Sequence, residues 1–312
     1  MKNESNNGAG IYKKAQRKPK KLGNSPVLWF IPLVLVLLLV FVYPIIEIIR
    51  FSFTDAGLID RDYTYTLKSY FSLFTSPGFF NMLFVTGFFV FFSVTFQMML
   101  GLAVALLVDQ GMKRRLHGTV ILRTAVLTAW AIPGVIIGII WTMLYNESNA
   151  GVLNYILSFV GLDSGIAFLS DPINSLISVT FANVWRGTAF SMIMIYAGLQ
   201  TISKDVIEAT LVDGANAVQR LFKVIIPILS PVLFINLIVV TVETFNTFDM
   251  VMALTGGGPG RSTEVIALSI YNSIFRQFEL GQGAATAVVL LLINTLMTVI
   301  YFKAIEKNQA VN

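Results

Sequence analysis

The chain has 312 residues, of which 55% are hydrophobic and only 12% charged, with a net charge of +5. With a mean hydropathy of +0.75, this composition excludes an ordinary soluble domain and marks an integral membrane protein. Zero cysteines exclude a disulfide framework, a thiol nucleophile and a cysteine-ligated metal, and the single histidine, His117, has no second ligand or triad partner at useful spacing.

Residues 1–26 are dominated by Asn, Gly, Ser and Lys. Such a segment cannot bury a core and is expected to be a basic, mobile cytoplasmic tail held near anionic lipid. A bilayer core of about 30 Å then asks for about 20 apolar residues per helix. Six runs qualify, at roughly 27–49, 82–108, 124–144, 173–199, 224–248 and 284–302. None alternates with period two, so the spans are read as helices and not as barrel strands. The first is too long for the apolar region of a signal peptide and lacks a small-residue cleavage site, so it is read as a retained helix.

Basic residues orient these spans. The segments 1–26, 109–123, 200–223 and 303–312 hold 16 of the 22 Lys and Arg residues. Arg50, Arg61, Lys68, Arg261 and Arg276 fall on the other side, and Arg186 lies within a span. The positive-inside rule places both termini in the cytoplasm, and the net charge reads as a topology signal with no nucleic-acid partner. Small residues Gly101, Ala103, Ala105, Gly134 and Gly138 permit close helix contacts, and Pro133 is expected to kink the third span.

Polar residues inside the spans are costly in lipid and are expected to turn inward. Gln97, Arg186, Asn236 and Asn294 fall near mid-span, and Glu243 and Asn246 lie further outward. They are candidates for a substrate pathway, with Trp185, Tyr196, Phe245 and Phe248 as stacking surfaces for hydroxylated ligands. The amides have a second reading as bonds from helix to helix, and Arg186 as a partner of Glu243. Glu47, near the outer end of the first span, is read as reaching water.

Between the fourth and fifth spans lies a polar loop, 200–223. Ser203 and Asp205 precede Val206 as N-terminal helix signals, and Gly214 permits a sharp turn. A helical pattern restarts at Ala215 and is expected to lose continuity at Pro227. Two short helices on the membrane surface are the expectation. Glu208 and Asp213 can pair with a partner there, while Ala209, Gly214, Ala215 and Ala217 leave it room. Further on, Thr255-Gly256-Gly257-Gly258-Pro259-Gly260-Arg261-Ser262 approaches a phosphate-binding loop, but it has Thr for the first Gly and Arg for Lys. It also follows an apolar helix instead of a strand, so it is read as a tight turn and nucleotide binding is rejected.

At Glu208, Ala209, Gly214 and Pro227 the sequence resembles the EAA loop of the membrane subunits of binding-protein-dependent ABC importers. Thr210 stands where that motif usually has Ala, and Ser203 where Pro is frequent. Val212-Asp213-Gly214-Ala215, Leu254-Thr255-Gly256-Gly257-Gly258-Pro259 and Phe278-Glu279-Leu280-Gly281-Gln282-Gly283-Ala284-Ala285 look like the maltose-type, carbohydrate-transporting branch. The resemblance covers most of 80–305. It implies an all-α, six-helix type I importer permease in the cytoplasmic membrane of a bacterium or archaeon, with residues 80–305 forming a five-helix core and the helix 27–49 wrapping a partner. It further implies a second homologous permease subunit, a cytoplasmic ATPase dimer that binds ATP and Mg, and an extracytoplasmic sugar-binding protein. Glu208, Ala209, Thr210, Asp213, Gly214, Ala215 and Pro227 would then seat the loop in the ATPase, this chain carrying no cofactor, no metal and no catalysis. The reading from another class is an ion-coupled secondary carrier with Arg186 and Glu243 as its coupling pair, which leaves the 200–223 loop without a purpose. A membrane enzyme lacks a Ser/His pair, a zinc-protease motif or a close carboxylate pair.

Overall fold

The computed structural model describes residues 26–60, 62–148, 151–161 and 165–309. The basic tail expected over 1–26 therefore lies outside the described residues except for Pro26. Among the described residues all regular structure is helical, apart from one isolated antiparallel bridge between Thr54 and Tyr65.

Met1–Glu47 form one unit and Ile48–Asn312 a second. The described part of the first is helical from Pro26–Leu37 through a π turn, Leu38–Val42, into Tyr43–Ser52. The π turn has a local cause. Pro44 brings no N–H and its ring crowds the carbonyl four residues back, and the wider turn, closed by Tyr43 N–H donating to the Leu38 carbonyl, absorbs the mismatch. Its apolar side chains from Trp29 to Ile46 are exposed, and Glu47 is half-buried.

In the second unit, helix Pro77–Lys113 packs along helix Pro172–Leu199. On the first, Val85, Phe89, Gln97, Gly101, Ala105 and Val108 form a buried stripe at helical spacing. Gly101 is required for the approach, since a β-carbon there would collide with Ser191 on the facing helix. Ala105 is also buried, whereas Ala103 is exposed. Helix 172–199 begins at a strong start signal. Pro172 takes the first helical position, and the Asp171 carboxylate accepts the N–H groups of Ile173 at 3.0 Å and Asn174 at 2.9 Å.

Among the described residues, four helical stretches are long and apolar enough to cross a membrane: Trp29–Ser52, Pro77–Lys113, Ala217–Phe245 and Leu280–Glu306. The third expected span is a broken pair, Thr119–Ala131 and Gly134–Leu144, bent by 107°. This exceeds the kink that Pro133 was expected to give. Pro133 excludes helical geometry from the preceding residue, and Ile132 sits in the extended region at φ −76°, ψ 130°. Helix 172–199 is long but does not join the four, because Ser, Thr, Asn and Arg occupy much of its length.

Pro227 departs from expectation as well. The chain stays helical through 217–245, with a π turn at Leu221–Ile225 closed by Ile226 N–H donating to the Leu221 carbonyl. The missing N–H is accommodated as it is before Pro44.

Two apolar clusters organise the second unit. The larger gathers Phe89, Val90, Val179, Ala182, Ile137, Trp141, Met250 and Ile266, and the smaller gathers Ala105, Met192, Ile195, Leu199 and Leu229. Along the central helix pair, buried Gln97, Asn183, Thr188 and Ser191 lie among apolar residues between them.

Candidate translocation cleft and coupling segment

These polar groups border a small cleft of about 30 Å³, lined by Gln97, Trp130, Asn183, Arg186, Gly187, Phe190, Val240, Glu243, Thr244 and Thr247. Gln97 is buried and donates from Nε2 to the Asn183 carbonyl at 2.9 Å. It lies across the opposite helix because residue 187 is glycine, where a β-carbon would collide with the Gln97 amide. Asn183 Nδ2 has no hydrogen-bond partner among the described residues, and the Glu243 side chain is exposed. Trp130 and Phe190 supply aromatic surface, with ring centroids 6.0 Å apart.

Arg186 lies 3.8 Å from Asp249, not beside Glu243 as the sequence suggested. Asp249 opens the short helix Asp249–Leu254, which packs on Gly134–Leu144. Two glycines make this pairing possible. A β-carbon at 134 would collide with the Asp249 carboxylate, and one at 138 would come within 2.6 Å of Ala253. The break at Pro133 thus delivers Gly134 to the carboxylate that holds Arg186.

Three of the six candidate pathway residues, Gln97, Arg186 and Glu243, share the cleft. The other three do not line it. Asn236 is buried with Nδ2 against Met98 Sδ at 2.9 Å, and Asn246 donates to the Val242 carbonyl in its own helix. Asn294 lies on the last helix with a buried Oδ1. The aromatic expectations fail for physical reasons. Phe245 belongs to the core, Tyr196 packs on the smaller cluster, Phe248 stacks on Tyr271, and Trp185 meets Trp141 edge to face.

The loop 200–223 forms the two expected short helices, Lys204–Val212 and Ala217–Arg220. Ser203 caps the first by accepting the Val206 N–H. Its far end is a Schellman motif: Gly214, at φ 73°, donates to the Leu211 carbonyl at 3.1 Å, and Ala215 donates to Thr210 at 3.0 Å. Asn216 and Gln219 then form a reciprocal capping box that starts the second helix. The Thr210 hydroxyl folds back onto the Ile207 carbonyl at 2.6 Å, so its extra polar group is satisfied locally. From Lys204–Val212 through Ala217–Arg220 to Leu221–Ile225, no helical residue is buried. Glu208, Ala209 and Asp213 are exposed, beside exposed apolar Leu211 and Val212, the latter at 88%.

The glycine-rich segment is a compact turn, with Gly256, Gly257, Gly260 and Arg261 at positive φ and a cis Gly258–Pro259 bond. The hydroxyls of Thr255 and Thr263 meet at 2.7 Å, and Thr263 donates to the Gly258 carbonyl at 2.9 Å. Arg261 pairs with buried Glu264. The segment's groups are thus tied to one another. In the Phe278–Ala285 motif, Gly281 packs where a β-carbon would strike the Thr54 carbonyl, and Ala284 and Ala285 are buried.

The family model described as binding-protein-dependent transport system inner membrane component matches residues 97–307. The trehalose/maltose transport system permease protein MalF of Thermococcus litoralis is 34% identical over 291 residues, covering 93% of this chain and 95% of its own. The sn-glycerol-3-phosphate transport system permease protein UgpA of Agrobacterium fabrum is 31% identical over 246 residues, covering 77% and 80% respectively. Among solved structures, a bacterial ABC transporter involved in alginate import superposes with a TM-score of 0.76 at 19% identity, covering 92% of this chain and 96% of that one.

Proposed function

The chain belongs to the family of binding-protein-dependent transport system inner membrane components, and from that premise we propose that it forms half of a sugar-conducting pore driven by a separate ATPase. As a permease subunit it is not itself an enzyme. The observation that carries the coupling role is the segment 204–220: capped at both helices, free of buried helical residues, and displaying Glu208 and Asp213 beside exposed Leu211 and Val212. A rigid, unburied surface of mixed charge and apolar character is suited to a protein partner.

In this reading the segment seats in an ATPase dimer that binds ATP and Mg, and nucleotide-driven closure moves it to switch access to the cleft. The chain makes six crossings with both termini cytoplasmic: four long apolar helices, the bent pair and helix 172–199. The Lys and Arg distribution supports that orientation. Residues 80–305 act as the permease core, and the exposed apolar helix 26–47 faces lipid and a second, homologous permease subunit. An extracytoplasmic sugar-binding protein delivers the substrate, and the assembly sits in the cytoplasmic membrane of a bacterium or archaeon.

The substrate class follows the relatives, which include trehalose/maltose and sn-glycerol-3-phosphate permeases: a sugar or oligosaccharide, or a related glycerol phosphate. Gln97, Asn183, Glu243 and the Arg186–Asp249 pair supply hydrogen-bonding groups to it, with Trp130 and Phe190 as stacking surface. Uptake of radiolabelled trehalose, maltose and glycerol 3-phosphate by the host, with and without the gene, tests this. Loss of uptake of one of them on deletion, and no recovery with Glu208→Lys or Gly214→Asp although the variant chain reaches the membrane, is the expected result. Full uptake with both variants would overturn the coupling assignment.

A further inference from the structure

Resting on that coupling reading, we propose that Asp109 is a positioning residue that clamps the base of the coupling segment to helix 77–113. Because no helical residue of 204–225 is buried, motion of the segment can enter the protein only through its two ends. At the C-terminal end the connection is stiff, since the helix continues without a break from Ala217 to Phe245. The N-terminal end is a turn: Gln200 closes helix 172–199, and only Thr201 and Ile202 separate it from Ser203, the cap of the next helix. Ile202 in that turn packs on the smaller apolar cluster, and a polar anchor lies beside it.

At that turn a buried carboxylate takes hold. Asp109, 7% exposed, accepts from Gln200 Nε2 at 3.0 Å through Oδ1 and from Lys113 Nζ at 2.7 Å through Oδ2. Both carboxylate oxygens are engaged, one by its own helix and one by Gln200 at the end of helix 172–199, where the turn to the coupling segment begins. The charge-assisted bond to Lys113 fixes the carboxylate, leaving the other oxygen aimed at Gln200. The same end of helix 77–113 is closely packed. Gly111 packs so closely on Thr119 that a β-carbon would come within 2.6 Å of the hydroxyl. The clamp therefore ties the segment to the helix that carries Gln97 into the cleft.

The chain has no cysteine, so two introduced cysteines are the only thiols of this subunit. Spin labels at Val212→Cys and Leu107→Cys, both on exposed positions, report the separation of segment and helix. The measurement uses the complete transporter in nanodiscs, with partner thiols replaced, with and without ATP plus vanadate. A clamp predicts one narrow distance distribution, unchanged by nucleotide because the two elements move together. Asp109→Ala and Gln200→Ala should broaden it and make it shift with nucleotide while ATP hydrolysis persists. Asp109→Asn, which retains an acceptor for Gln200, should keep it narrow. A distribution that stays narrow in both Asp109→Ala and Gln200→Ala, or one that already shifts in the native protein, overturns the clamp. Glu208→Lys separates this from failure of the coupling reading: if that variant leaves nucleotide-driven opening of the cleft intact, the coupling role itself is wrong, whatever the labels report.

Discussion

The Asp249 carboxylate lies 3.8 Å from the Arg186 guanidinium and rests against Gly134, at a position no side chain there would allow. The pair joins helix 172–199 to helix Asp249–Leu254, which packs on the segment after the break at Pro133, so a charge on one helix is held by the packing of two others. Both groups are partly exposed, at 27% and 34%, which makes the attraction itself modest. Its consequence is specificity of position.

Arg186→Leu and Asp249→Leu should each modestly destabilise the detergent-solubilised protein, because each leaves the opposite, partly buried charge without its partner. The double variant should lose less than the sum, with a coupling energy of about 0.5–3 kcal/mol. Thermal unfolding followed by size-exclusion chromatography of the three variants measures it. Strict additivity would show that the two groups do not depend on one another.

Glycines within the same helix should behave differently on substitution. Gly101→Val drives a side chain into Ser191 and should cost about 1–3 kcal/mol through overpacking. Gly87→Ala meets nothing within 4 Å and should be neutral or slightly stabilising, since Ala is the better helix former. The same thermal assay compares them.

At the start of helix 172–199, Asp171→Ala should cost about 1 kcal/mol through loss of the two capping bonds, with Asp171→Asn close to native. Hydrogen exchange at Ile173 and Asn174 localises the effect. Unchanged protection in Asp171→Ala would show that Pro172 alone fixes the start.

Glu147 carries a pH dependence on the loop before that helix. The Ser170 hydroxyl, then the Leu169 and Ser170 N–H groups, bind its carboxylate and hold its pKa below the ordinary 4.5. A depressed folded value means that stabilisation is fully present above the ordinary value and is lost as pH falls through the folded one. Amide protection at Leu169 and Ser170 should therefore hold from neutral pH down to about 4.5 and fall only below it. In Glu147→Ala, protection should be lower at neutral pH and the acid-dependent step should vanish.

Much of this was legible in the sequence because its signals are local. Ser203, the Gly214 turn and the small residues Gly101, Gly134 and Gly138 do what their chemistry dictates, and Asn216-x-x-Gln219 carries the local pattern of the capping box it forms. What escaped depended on distance along the chain. Asp249 lies just past an apolar run, and nothing nearby announces that helix geometry brings it to Arg186. Pro227 was read as a break because a proline removes one hydrogen bond, but a π turn removes the conflict without ending the helix. The amides of Asn236, Asn246 and Asn294 resembled Gln97 in one dimension. Only the packing shows which of them faces the cleft.

The most direct measurement of the central claim is purification of the tagged chain from its own host in mild detergent, with the co-purifying subunits identified by mass spectrometry. The account predicts a stoichiometric ATPase and a second permease with the native chain, and loss of the ATPase with Glu208→Lys. A chain recovered alone, catalysing ion-driven uptake in liposomes, would contradict it.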